Sequence, residues 1–319
     1  MITTILLLVV ALVVLAAFLA PFEALRWWGR QASIEASSQL EQAAPKPPRE
    51  PDEPTCWVVY VSGVGATSPV INRRGEQPLI DGVQARLQGA KIVSHIYPYD
   101  MTNVGLTDGR WSSRFWRLVS ALGRSRFTST AHALVYLRNV MQVMVSADSR
   151  YGPVYSLGIA KVIWEELLRN GYQPRTRAPI VLLGWSGGAQ IALGAASYLA
   201  ATGAKTSVLS LGGFLNSDPA LDHIAHLWHL KGTKDWVQAL ARGFPSRWPQ
   251  VQGSAWNRAK AAGRITQIVI GPMRHLGRGS YLSSGVMLPD GRSCRDTTMD
   301  AIADTIAQAG LAKRLLPPS

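Results

Sequence analysis

Apolar residues in this chain gather into short, nearly unbroken runs set between glycine-, proline- and charge-bearing stretches. Trp57 to Val61, Lys91 to Tyr97, Ile180 to Leu183, Ser207 to Gly213 and Arg264 to Ile270 read as strands, with Ile224 to Leu230 a further short apolar run. Runs such as Ile180-Val181-Leu182-Leu183, with no polar alternation, predict strands buried on both faces. Helical stretches fall between them: near Pro78 to Gln88, Leu134 to Val145, Tyr155 to Asn170, Ala189 to about Ala201, and an amphipathic tail from Thr297 to Leu311. Strand and helix alternating in this way predict an α/β fold whose central sheet is mostly parallel, with helices on both faces.

The first residues follow a different pattern. Ile2 to Phe22 are apolar apart from Thr3 and Thr4 and carry no charge. A helix of that length rises about 30 Å, which matches a bilayer core. A cleaved signal peptide competes with a retained transmembrane helix, but no positive residues precede the apolar run. The expectation is therefore an anchor over residues 1–24, with Trp27-Trp28 at the interface. Arg26 and Arg30 follow the span and no Lys or Arg precedes it, so the positive-inside rule places the following domain in the cytoplasm.

Residues 25–55 turn to Ala, Ser, Glu and Pro and end in a proline-dense stretch, Pro45 to Pro54, which reads as a linker. The globular domain is expected over 56–319, with a long helical insertion at about 101–177. The insertion's Trp111 to Val119 mixes aromatics and arginines at helical spacing, which fits a cap helix better than an interface-lying segment.

Composition narrows the classes. At 319 residues with 47% hydrophobic content and 11 Trp, the chain can bury a large core and is not disordered. A formal charge of +13 implies either contact with anionic lipid or a merely solvated basic surface. Arg73, Arg74, Arg110, Arg114, Arg126 and Arg314 are scattered and no nucleic-acid-binding motif accompanies them, so no nucleic-acid partner is expected. Cys56 and Cys294 fit neither a disulfide scaffold nor a metal site. His223, His226 and His229 fall at intervals of three, but His229 sits in a strand-like run, so surface or core roles are expected and no metal or cofactor is implied.

The chemistry gathers after Leu183. Gly184-Trp185-Ser186-Gly187-Gly188 is a GxSxG pattern at a strand end, followed by an Ala- and Leu-rich helix. A strand that turns directly into a helix strains the corner residue, and Gly184 and Gly188 remove Cβ atoms that would collide there. Gly187 then lies at a helix N-terminus, where free N–H groups favour developing negative charge. Further along, Asp235 follows the run ending near Leu230, and His275 follows the strand ending at Ile270 inside Gly271-Pro272-Met273-Arg274-His275-Leu276-Gly277.

With Ser186, Asp235 and His275 at successive strand ends, the chain from Cys56 to about Leu311 resembles an α/β-hydrolase-fold serine hydrolase, whose triad runs Ser, acid, His in chain order. The resemblance implies Ser186 as nucleophile, His275 as general base and Asp235 as the group that orients it, with Asp218 and Asp222 as rival acids one strand earlier. It implies an oxyanion hole from the N–H groups of Gly187 and Val64, the latter in Ser62-Gly63-Val64-Gly65 after the first strand, where many members carry His-Gly. The function it implies is a membrane-anchored hydrolase of carboxylic, possibly lipid-like, esters acting through an acyl-enzyme. An acyltransferase using the same triad and a non-catalytic membrane scaffold are the alternatives.

Overall fold

The computed structural model of the chain describes Leu15 and residues 53–65, 75–96, 98, 128–148 and 151–315. Apart from Leu15, the expected anchor lies outside these residues, as do all but the end of the linker and the Trp111 to Val119 stretch. Among the described residues no helix is long and apolar enough to cross a membrane.

Among the described residues there are eight strands: β1 (Cys56–Val61), β2 (Leu87–Gln88), β3 (Ala90–Ile96), β4 (Ile180–Trp185), β5 (Thr206–Leu211), β6 (Leu227–Lys231), β7 (Ile265–Val269) and β8 (Lys313–Arg314). Six of them form one sheet in the order β3-β1-β4-β5-β6-β7, and every neighbouring pair is parallel. β2 and β8 make a separate antiparallel pair. The helices are α1 (Gln77–Gln84), α2 (Thr128–Ser146), α3 (Gly152–Arg169), α4 (Gly187–Ala200), the single turn α5 (Val237–Leu240), α6 (Ala255–Ala261) and α7 (Cys294–Gln308).

The unbroken apolar runs are explained by two core layers. Along β1, Trp57, Val59 and Val61 face one layer while Cys56, Val58 and Tyr60 face the other. The first layer is completed by Ile159, Ile163 and Leu167 of α3 and Ile191 and Leu199 of α4. Leu79 and Val83 of α1 and Ile302 and Ile306 of α7 complete the second. Every residue of β1, β4 and β5 is buried, and burying one aliphatic side chain stabilises by about 1.5–3 kcal/mol. The frame under the site is thus buried throughout. β7, at the sheet edge, is half-exposed.

Several boundaries differ from the pattern-based reading for identifiable reasons. α7 begins at Cys294, three residues before Thr297, because Ser293 caps it by accepting a hydrogen bond from the Asp296 N–H. α6 is an additional helix capped by Ser254. Within the expected insertion, α3 is the crossover between parallel strands β3 and β4, since its apolar face shares a core layer with Trp57 and Val59. Among the described residues no strand lies between β3 and β4 to mark off the crossover from the rest.

Cys56 and Cys294 are both buried in the second layer and form no disulfide. Part of the basic charge is internally neutralised: Arg314 pairs with Asp300 and Asp304, and Arg86 with Asp300.

Candidate active site

The elbow starts from backbone geometry. β4 ends at Trp185, α4 starts at Gly187, and Ser186 between them has φ 54° and ψ −124°. For a residue with a Cβ, a conformation of this kind costs roughly 1–3 kcal/mol and persists only where the surroundings impose it. The surroundings here are tight. A Cβ on Gly184 would lie 2.4 Å from the Ala189 Cα, and one on Gly188 would lie 2.4 Å from the Ser62 carbonyl oxygen. Glycine at those two positions lets α4 start directly on the strand end and lets the elbow rest against the end of β1.

Ser186, Asp235 and His275 converge, although 89 residues separate the serine from the histidine. Ser186 Oγ lies 2.7 Å from His275 Nε2, and His275 Nδ1 lies 3.1 Å and 3.0 Å from the two carboxylate oxygens of Asp235. A carboxylate only accepts, so Nδ1 carries the proton and donates it to Asp235. That tautomer leaves the Nε2 lone pair to accept the Ser186 hydroxyl proton. All three side chains are buried.

The carboxylate is itself held from three sides. Besides His275 Nδ1, Asp235 accepts from the Tyr281 hydroxyl at 2.8 Å and from the Val237 N–H at 2.9 Å. Burial alone would push its pKa up, but the hydrogen bond and charge of His275, with those of Tyr281 and Val237, outweigh it and hold the carboxyl below its ordinary value. Tyr281 also accepts from the Gly232 N–H at 2.6 Å, so the phenol ties the acid to the end of β6. Burial and the adjacent Asp235 charge raise the Tyr281 pKa, which keeps the phenol a donor.

The rival acids serve the scaffold. Asp218 accepts from Gln190 Nε2 at 3.0 Å and from the Ala220 N–H at 2.9 Å, capping the short turn at 219–222. Burial raises its pKa to about 6. Asp222 pairs with Arg258 and Arg264. Neither reaches His275. Of the evenly spaced histidines, His226 bonds Thr266 on the neighbouring strand, while His229 is buried against Ser210 and has its pKa pushed down to about 3, chiefly by burial. Among the described residues no group of His, Cys, Asp and Glu could hold a metal ion.

The two expected oxyanion donors flank the elbow. Gly187 is the first residue of α4, where helix N–H groups lack intrahelical acceptors. Val64 follows β1 in the segment that the elbow touches through Gly188. Residues with no sequence signal complete the site. Trp185 stacks on the His275 ring, Tyr281 meets Trp185 edge-on, Asn139 of α2 donates to the Val64 carbonyl, and Glu76 accepts from the Gly63 N–H. Such partners lie 13 to 96 positions apart along the chain, beyond the reach of local pattern.

No protein-family model and no curated protein matches the chain. Among solved structures it is similar to Thermogutta terrifontis esterase 2 phosphoramylated by tabun, at 12% identity over 84% of this chain and 89% of that one, with a TM-score of 0.39. The central sheet is parallel, and Ser186, Asp235 and His275 follow β4, β6 and β7 in turn.

Proposed function

We propose that the protein is a serine hydrolase that cleaves carboxylic esters through an acyl-enzyme on Ser186. The observation that carries this reading is the continuous hydrogen-bonded chain from Ser186 Oγ through His275 to Asp235, set on a strained elbow. A serine hydroxyl is a weak nucleophile until a base takes its proton. His275 Nε2 removes it as Oγ attacks the ester carbonyl, and the negative charge passes to the carbonyl oxygen, held by the N–H groups of Gly187 and Val64. Asp235 stabilises the imidazolium that forms. Collapse of the intermediate breaks the C–O bond, and the imidazolium returns its proton to the departing alcohol. Water then attacks the acyl-enzyme, with His275 again as base, and releases the carboxylic acid and free Ser186.

The apolar, uncharged stretch Ile2 to Phe22 supports a further part of the reading, an enzyme held at a membrane through residues 1–24 with its domain on the cytoplasmic side. An anchored site next to a bilayer favours lipid-like esters. Labelling with a fluorophosphonate probe is the first test: wild type should label and Ser186→Ala should not. A folded wild type that resists the probe would instead support a scaffold. Product analysis on a panel of acyl esters, with and without alcohol acceptors, separates hydrolysis from acyl transfer. Reporter fusions after Arg30, active when cytoplasmic and silent when exported, test the orientation.

A further inference from the structure

Gly63 sits where only glycine fits, since a Cβ there would lie 2.6 Å from Trp185 Cδ1. Having no side chain, it also leaves its backbone free to rotate. The peptide linking Gly63 to Val64 carries the Val64 N–H, the second donor in the proposed oxyanion hole, so its orientation decides whether the hole is formed. The peptide before it is held by Glu76, whose Oε1 accepts from the Gly63 N–H at 3.4 Å. The peptide after it is held by Asn139, whose Nδ2 donates to the Val64 carbonyl at 2.8 Å.

Both side chains are buried, and they come from different elements. Glu76 leads into α1, Asn139 lies on α2, and Arg138 donates to Asn139 Oδ1 at 3.1 Å. Among the described residues, the groups that face the Glu76 carboxyl include the Ser62 and Tyr60 hydroxyls and the Gly63 amide. A buried carboxyl is costly to keep, and burial raises its pKa to about 7.

We propose that Glu76 and Asn139 are positioning residues that clamp the Ser62–Gly65 loop on both sides of the Gly63–Val64 peptide and so aim the Val64 N–H at the oxyanion. The inference rests on the serine-hydrolase reading and deepens it. Neither residue touches substrate; both act through the backbone between them.

The test uses the full chain and the rate of fluorophosphonate labelling, because the phosphoryl oxygen of the probe takes the oxyanion position. Asn139→Asp keeps the size of the side chain and loses the donor, and Arg138 beside it accommodates the new charge. Glu76→Ala loses the acceptor, whereas Glu76→Gln keeps one. The expected result is that Asn139→Asp and Glu76→Ala lower the maximal labelling rate about ten-fold or more while the half-saturating probe concentration stays near wild type, because a misplaced donor costs the transition state rather than binding. Glu76→Gln should restore most of the rate. A folded Asn139→Asp or Glu76→Ala that labels at the wild-type maximal rate, or a Glu76→Gln as slow as Glu76→Ala, would overturn the clamp. If Glu76→Ala does not fold by circular dichroism, Asn139→Asp alone decides. A folded wild type that is not labelled at all would remove the serine-hydrolase reading itself, an outcome distinct from failure of the clamp.

Discussion

The indole of Trp185 lies flat against the imidazole of His275, with ring centroids 4.9 Å apart and planes 18° from parallel. The residue before the nucleophile therefore forms one wall for the base. Asp235 fixes the imidazole through Nδ1, but a single hydrogen-bonding direction leaves the ring free to tilt, and the indole restricts that tilt. Trp185→Phe should keep an aromatic wall and stay within a few-fold of wild type in fluorophosphonate labelling. Trp185→Ala should slow labelling by about two- to ten-fold, the range that corresponds to the roughly 0.5–1.5 kcal/mol of an aromatic pair, and should lower the denaturation midpoint, since truncating a buried Trp costs about 3–5 kcal/mol.

Asp235 and the rival acids separate by function. Asp235→Asn replaces one acceptor oxygen with an NH2 donor, so the side chain no longer dictates the His275 tautomer, and turnover of an acyl ester should fall on the order of 10⁴-fold while the fold is retained. Asp222→Asn breaks exposed pairs with Arg258 and Arg264 and should leave turnover within a few-fold. Asp218→Asn should do the same. A large loss of turnover at Asp218 with none at Asp235 would transfer the role of triad acid.

Tyr281→Phe deletes the hydroxyl that joins the Gly232 N–H to the Asp235 carboxylate. A buried donor and a buried charge each lose a partner, so the unfolding free energy should drop by about 1–3 kcal/mol. The same change removes one of the bonds holding the Asp235 pKa down. A depressed carboxyl contributes stability above its unfolded pKa and loses it as pH falls through the folded value. The acid unfolding transition of Tyr281→Phe should therefore begin at higher pH than that of wild type, as followed by circular dichroism.

Glu76 gives the opposite pH dependence. Its pKa is raised from 4.5 to about 7 by burial. Below pH 4.5 the carboxyl is protonated in both folded and unfolded chains and favours neither. As pH rises toward 7 the unfolded chain releases this proton while the folded one keeps it, so wild type steadily loses stability, by up to about 3 kcal/mol. Glu76→Gln escapes the penalty. Denaturant midpoints of variant and wild type should nearly coincide at pH 4 and diverge in favour of the variant by pH 8.

The parts of this molecule that the sequence makes legible are those where one local rule settles the outcome. Ile180 to Leu183 reads as a strand buried on both faces, and Gly184 and Gly188 around Ser186 mark a close-packed corner. His275 and Asp235 were legible because each follows a strand-like run in the Ser, acid, His order of the hydrolases that the sequence resembles. Glu76, Asn139 and Tyr281 were not, because their hydrogen bonds span 13, 75 and 46 positions and no periodicity links the partners. α6 did carry a local signal, Ser254 with its side chain capping Asn257, but it lies in a short segment of mixed polarity where helical spacing is hard to read. α3 was recognised as a helix, yet its role as the β3–β4 crossover became clear only from its packing.

The contact of Gly188 with the carbonyls of Val61 and Ser62 joins the nucleophile's corner to the strand that carries the opposing loop, with no side chain between them to absorb movement. The two halves of the site cannot drift apart gradually. On heating, such a protein should keep its full reactivity until the sheet itself gives way, so residual fluorophosphonate labelling and far-ultraviolet circular dichroism, recorded against temperature, should fall along a single curve.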